Sequence, residues 1–342
     1  MTDPLIRHAT PRDAQPLAAL FRHAYGDTSH PCKDPAYLRR YLADARNILL
    51  VATEQGQLIA SMGMTFHPWN CAYEWGLGVT SPAHRRAGLA ETLMRQVFAR
   101  AYTLQAGEIV FGYPRVRRIY DIGQTCVDPP QIATGHDGGA NIANGQREYH
   151  LMIFARPSYA RFTHVAPALA RAEFVRERVY RPMGLPYAPG GYPEVCLASG
   201  LVGSPAHMAD TALFQYNHDH QCPAGALEIN AYRGAPERLR HDLAALLREF
   251  PAARHVCLSV LADKQRLIHE LGQMGFAITA WLPAWHRDGA ARYDCVRMVR
   301  RNFTEEPVVH GMEELLRGFQ AGYAALQGEL AISAEDTACI AN

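Results

Sequence analysis

PAHRRAGLAETLMRQVFARA, residues 82–101, decides how this chain is read. A proline opens it, two arginines follow, and a lone glycine between alanine and leucine precedes an amphipathic run. From Leu89 the apolar positions Leu89, Leu93, Met94, Val97, Phe98 and Ala101 recur with helical period. The spacing predicts a helix that begins just after Gly88. The first turn of a helix carries backbone N–H groups without intrahelical partners and a partial positive charge. Gly88 has no side chain to shield them, Ala90 is small, and Arg85 and Arg86 add charge. Arg85-x-x-Gly88-x-Ala90 therefore predicts an anion cradle fit for a pyrophosphate. The competing reading is a plain helix start after a proline turn.

The flanks favour the cradle. Upstream, NCAYEWGLGVT (70–80) reads as a strand whose two glycines predict a bulge or a close backbone approach. Downstream, GEIVFGY (107–113) reads as a strand and PRVRRIYDIG (114–123) as a helix. Further out, LIRHA (5–9) is a short strand. Residues 10–26 are a helix with Thr10 as N-cap, Pro11 in its first turn and Asp13 placed for a capping box. Residues 34–45 are a second helix, and 47–66 a hairpin around Gln55-Gly56. Residues 124–148 are rich in Gly, Pro, Asn and Asp and read as a loop, and 149–157 as a strand.

This arrangement resembles the GNAT superfamily of acyl-CoA-dependent N-acyltransferases, whose Arg/Gln-x-x-Gly-x-Gly/Ala motif is matched by RRAGLA at 85–90. The resemblance spans roughly residues 5–157 in element order. It implies an α/β fold of mixed sheets flanked by helices. It also implies that Arg85, Arg86, Ala87, Gly88, Leu89 and Ala90 hold the pyrophosphate of acetyl-CoA or another acyl-CoA, while Gly78, Val79 and Thr80 pair with its pantetheine arm. Glu74, the one carboxylate on that strand, becomes the candidate base, with an exposed strand carboxylate as the plain alternative. Tyr120 becomes the candidate acid, with a core tyrosine as the alternative. The family's Asn-x-x-Ala-x-x-Leu-Tyr pattern is altered here to Tyr113-x-x-Val116-x-x-Ile119-Tyr120. The implied reaction is direct transfer of an acyl group, acetyl first, to an amine of a small metabolite or amino-acid derivative. Other reactions on an acyl thioester (hydrolysis, decarboxylation, transfer from a carrier protein) and a non-catalytic acyl-CoA sensor are the rivals.

The second half repeats the order strand, helix, strand, helix, strand, strand from residue 225 to 300. The reading is a tandem, with a cofactor-binding domain at 1–157, a connector and degenerate GNAT-like domain at 158–303, and a C-terminal helix and tail at 304–342. The second half lacks the cradle: in YRGAPERLR (232–240), Arg233 and Gly234 are adjacent and Pro236 removes an amide.

Bulk properties exclude several classes. The chain has 342 residues, 34 Lys+Arg against 33 Asp+Glu and a net charge of +1, so nothing favours nucleic acid or a membrane surface. No apolar run approaches the ~20 residues of a membrane span. The eight cysteines are scattered, so no zinc knuckle or disulfide scaffold is expected. With no signal-like N-terminus, the expectation is a cytoplasmic protein. No metal is expected. NHDHQC (217–222) is read as a polar turn rather than a metal cluster. Trp281 and Trp285 are read as core or pocket wall, and Cys71 and Cys126 as inert thiols. Arg115, Arg117 and Arg118 are either a solvated helix face or a site for a phosphate or anionic acceptor.

Overall fold

The computed structural model describes residues 4–26, 28, 30–85, 88–185, 188, 190–200, 209–219 and 225–340. Through residue 155 the main elements are β1 (Leu5–His8), α1 (Ala14–Tyr25), α2 (Pro35–Ala43), β2 (Ile48–Glu54), β3 (Gln57–His67), β4 (Ala72–Thr80), α3 (Leu89–Leu104), β5 (Ile109–Gly112), α4 (Arg117–Cys126), β6 (Ile132–His136), β7 (Asn141–Ala143), β8 (Gln146–Glu148) and β9 (Leu151–Ala155). They continue with β10 (Thr163–Val165), β11 (Leu197–Ala198), β12 (Ala209–Asp210), β13 (Phe214–Asp219), β14 (Ala226–Tyr232), α5 (Leu239–Glu249), β15 (His255–Leu261), α6 (Gln265–Gln273), β16 (Ala277–Asp288), β17 (Ala291–Arg301) and α7 (Glu313–Ile340).

The chain divides into two compact units. The first is Met1–Ile132 with Asn141–Arg161 and Pro307–Gly311; the second is Ala133–Ala140, Phe162–Glu306 and Met312–Asn342. This differs from the linear division expected from the sequence. Residues 133–140 join the second unit, and a five-residue segment far downstream joins the first.

In the first unit the sheet runs β1-β2-β3-β4-β5-β9. Strands β1 to β4 are antiparallel neighbours, β4 and β5 are parallel, and β9 closes antiparallel on β5. The β2–β3 turn has Gln55 at φ 50° and Gly56 at φ 80°, the two left-handed positions that a two-residue hairpin favours. Ile48–Thr53 of β2 is buried throughout, as a central strand covered on both faces should be. Leu49 and Val51 pack with Leu17 and Phe21 of α1 and Leu38 and Tyr41 of α2. Helix α3 buries Leu89, Leu93, Met94, Val97, Phe98 and Ala101, the face read from the sequence. Each large side chain there contributes roughly 1.5–3 kcal/mol of burial. At the N-terminus, the Thr10 amide donates to Asp13 Oδ2 at 2.7 Å, which completes the expected capping box.

The second unit's sheet runs β6-β16-β17-β15-β14-β13-β12. Here too an antiparallel pair (β13, β14) leads to a parallel pair (β14, β15) and then to antiparallel neighbours (β17, β16). Trp281 and Trp285 are buried in its core, and Tyr323 of α7 accepts from the Trp281 amide at 2.8 Å. Asp294 is fully buried between His164 Nε2 (2.6 Å), the Ala284 amide (2.7 Å) and the Tyr180 hydroxyl.

Two sequence readings are corrected. Residues 124–148 are not one loop: they hold the end of α4, β6 and the β7–β8 hairpin. Helix α4 starts at Arg117, three residues later than expected. Val116 is extended (φ −130°, ψ 144°) and bridges in parallel to His310.

Candidate functional site

Strand β4 parts from β5 at one defined point. Pairing runs from Ala72 with Ile109 to Trp75 with Gly112 and stops. The Trp75 indole lies across Gly112 so closely that a Cβ there would come within 2.3 Å of Nε1. Pro114, two residues on, offers no N–H to extend the ladder. Gly76 to Thr80 of β4 thus continue with β3 on one side and no β5 partner on the other.

The predicted bulge lies within this unpaired stretch. The register slips between Ser61/Val79 and Gly63/Gly76, and Leu77 takes φ 50°. Ser61 Oγ donates to the Leu77 carbonyl at 2.8 Å, and the Tyr25 hydroxyl donates to the Gly78 carbonyl. Val79 stands opposite Ser61, and the Ser81 amide reaches the Ile59 carbonyl at 2.7 Å. Antiparallel alternation therefore turns the polar groups of Gly78 away from β3, toward the edge that β5 has left.

Eight residues beyond β4, Gly88 is the N-cap of α3 at φ 74°, left-handed and exposed. A Cβ on Gly88 would meet nothing within 4 Å, so the space in front of the helix end is open. The first helical bond runs from the Thr92 amide to the Gly88 carbonyl at 3.0 Å. The amides of Gly88, Leu89, Ala90 and Glu91 precede it and face outward from the helix end. Arg85 is exposed beside them, Leu89 is buried and Ala90 half-buried. Arg86 and Ala87 lie outside the described residues.

Glu74 stands on β4 at the last pair but one with β5. Its Oε2 lies 3.0 Å from Nε2 of His67 on β3, with side-chain exposures of 27% and 13%. The His67 ring lies 5.6 Å from that of Phe111. The Glu74 charge is also felt by His30 and Tyr37, which places it on the side of the sheet that the α1–α2 connection covers. His30 Nδ1 accepts the Cys32 amide at 3.1 Å.

Tyr120 is half-buried on α4, and the Arg117 guanidinium lies 5.9 Å over its ring. Tyr113 and Val116 precede the helix rather than belonging to it. The arginine run is not a uniform face. Arg115 donates to Glu148 Oε1 at 2.6 Å, Arg117 pairs with Asp121 at 2.7 Å, and Arg118 is exposed.

A polar cluster that sequence reasoning missed surrounds Glu148. This carboxylate is 3% exposed, with Arg115 at 2.6 Å, His310 Nε2 at 3.0 Å and His150 Nε2 at 3.7 Å. Burial would raise its proton affinity, but His150, His310 and Arg115 outweigh that and hold it at about 2. A carboxylate that acidic is a poor proton acceptor at neutral pH and acts as a fixed anion. The Arg115 guanidinium also lies 5.5 Å over the Tyr25 ring. His310 arrives on the segment 307–311, held by backbone bonds from Tyr149 to Val308 (3.0 Å) and from Val308 to Arg147 (2.8 Å). No local pattern predicts this, because the partners are about 160 residues apart in sequence.

Residues 14–116, which include the bulge and the Gly88 helix start, match the acetyltransferase (GNAT) family. The chain carries a GNAT domain. No curated protein matches the chain. Among solved structures, a phosphinothricin acetyltransferase from Sinorhizobium meliloti in complex with acetyl-CoA is 13% identical, covering 46% of this chain and 91% of its own, with TM-score 0.40. A putative acetyltransferase from Salmonella typhimurium with acetyl-CoA is 13% identical over 46% and 95%, with TM-score 0.38. A chimeric spermidine N-acetyltransferase from Vibrio cholerae is 15% identical over 46% and 97%, with TM-score 0.36.

The matched segment ends at residue 116, and the helix start at α5 is built differently from that at Gly88. Tyr232 lies over Gly234, whose Cβ would meet its hydroxyl at 2.2 Å, and donates to Asp242 Oδ2 at 2.7 Å. Asp242, in the first turn of α5, places a negative charge at that helix start. Among the described residues no group of three or more His, Cys, Asp or Glu is arranged for a metal ion. His218 and Asp219 of NHDHQC end β13, and His220 to Cys222 lie outside the described residues. Cys126 is a buried thiol whose proton affinity burial raises. No described helix is long and apolar enough to cross a membrane.

Proposed function

We propose that the protein is an N-acyltransferase that moves an acyl group, acetyl first, from acyl-CoA to an amine of a small metabolite or amino-acid derivative. The observation that carries this is the parting of β4 from β5 after Trp75, with the open N-terminus of α3 at Gly88 eight residues beyond the same strand. The open edge offers Gly78, Val79 and Thr80 to the pantetheine arm. The helix end, with Arg85, Arg86 and Ala87 in its approach, offers amides and charge to the pyrophosphate. Acyl-CoA, when bound, supplies the activated thioester. The chain supplies alignment, which alone lowers the barrier substantially. Glu74, paired with His67, takes the amine proton, directly or through water, and Tyr120 is the candidate donor to the leaving thiolate. The second unit is a degenerate GNAT-like half without a cofactor, its α5 helix start taken by Tyr232 and Asp242. The site of action is the cytoplasm.

The test incubates the purified chain with acetyl-CoA and a panel of primary amines, following free thiol by absorbance and products by mass. Thiol release coupled to an acylated amine supports the proposal. Thiol release without an acylated amine points to hydrolysis, and binding without thiol release points to a sensor.

A further inference from the structure

We infer that Tyr25 is a positioning residue for the thioester of the bound acyl-CoA, acting through the carbonyl of Gly78. The inference rests on the acyl-CoA reading above and adds a residue that no motif predicts.

The carbonyl of Gly78 points to the open edge of β4, one residue past the bulge at Leu77. A thioester laid along that edge brings its own carbonyl oxygen close by. Two carbonyl oxygens side by side repel, and an unsatisfied lone pair at a part-buried position is costly. The Tyr25 hydroxyl removes the conflict by donating to Gly78.

Tyr25 is built to stay there. It is the last residue of α1, ended by Gly26 at φ 56°, and its carbonyl accepts the Asn144 amide at 3.1 Å. Its ring stacks on Phe21 with centroids 6.0 Å apart. The Arg115 guanidinium, itself fixed by Glu148, lies 5.5 Å over the same ring. The side chain is water-accessible in part yet ringed by protein, and burial pushes its hydroxyl up to about 12. It is therefore a donor throughout the neutral range. The carbonyl of Leu77, by contrast, is taken by Ser61. Both bulge carbonyls are thus satisfied by side chains before any ligand arrives.

The test compares acetyl-CoA with free coenzyme A, two probes that differ only at the thioester, by calorimetry on the whole chain. Tyr25→Phe is expected to weaken acetyl-CoA about tenfold and coenzyme A by less than about twofold. A merely structural role weakens both alike. Arg115→Gln keeps the hydroxyl but frees the ring, and is expected to shift the same ratio by less. This second variant decides the matter if Tyr25→Phe fails to fold. An unchanged ratio of the two affinities in the folded variants overturns the inference while leaving the acyl-CoA reading intact. A wild-type chain that binds neither probe overturns both.

Discussion

Glu74 and His67 face each other across neighbouring strands, with Oε2 and Nε2 3.0 Å apart, beside the point where β4 leaves β5. The pair gives the carboxylate a fixed orientation and a partner for the proton it would accept. Glu74→Gln keeps the shape but removes the carboxylate proposed as base. It is expected to lower kcat about 100-fold or more, with KM for acetyl-CoA changed less than about threefold. His67→Ala is expected to cost about tenfold, because the carboxylate stays. Steady-state kinetics with the best amine of the panel measures both. A Glu74→Gln enzyme with wild-type kcat removes Glu74 from the mechanism.

Glu148 makes stability depend on pH in a stated direction. Its folded value, about 2, lies below the ordinary 4.5. A group depressed by folding stabilises above its unfolded value and loses that contribution as the pH falls through its folded one. Glu148→Gln is therefore expected to destabilise the protein at pH 7, by no more than about 3 kcal/mol. The gap between variant and wild type should shrink as the pH drops from about 4.5 toward 2. Urea unfolding at pH 7, 4.5 and 2.5 measures it. A gap that widens on acidification contradicts the assignment.

Asp294 resembles a catalytic acid in its pairing with His164, but both side chains are fully buried. Its contacts with the Ala284 amide and the Tyr180 hydroxyl mark a structural anchor for β16 and β17. Asp294→Asn keeps one acceptor oxygen but replaces the other by an amide donor and removes the buried charge facing His164 and the Tyr180 hydroxyl, and is expected to cost about 3 kcal/mol. Chemical denaturation should record it, with acetyl-CoA affinity of the folded protein unchanged. An unaltered midpoint, or lost affinity in a folded variant, contradicts this reading.

The sequence showed most where one local pattern sufficed. The period of α3, the Gln55-Gly56 hairpin and the Thr10–Asp13 box all depend on neighbours within a few residues. It failed where glycine had a long-range reason. Gly135 (φ 154°) reads as loop, yet it lets β6 approach β16, where a Cβ would strike the Thr279 carbonyl at 2.1 Å. It failed again at α4, whose start is delayed because Val116 pairs with a distant segment. Within the candidate site, Gly88, Glu74 and the bulge were legible from β4 and its loop. His67 was recoverable from strand parity, since Thr65 pairs with Glu74 and His67 with Ala72. Tyr25, Glu148 and His310 were not, because they meet only through tertiary contacts.

Calorimetric titration with acetyl-CoA counts the cofactor sites on the chain and asks whether the Gly88 helix start is one of them. One acetyl-CoA is expected per wild-type chain and none for Gly88→Glu, whose carboxylate would enter the open space before α3 and repel a pyrophosphate. Gly88 is left-handed, so the substitution also costs about 1 kcal/mol, and a urea midpoint confirms that the variant remains folded. Two molecules per chain, no binding to wild type, or undiminished binding to Gly88→Glu would contradict that expectation.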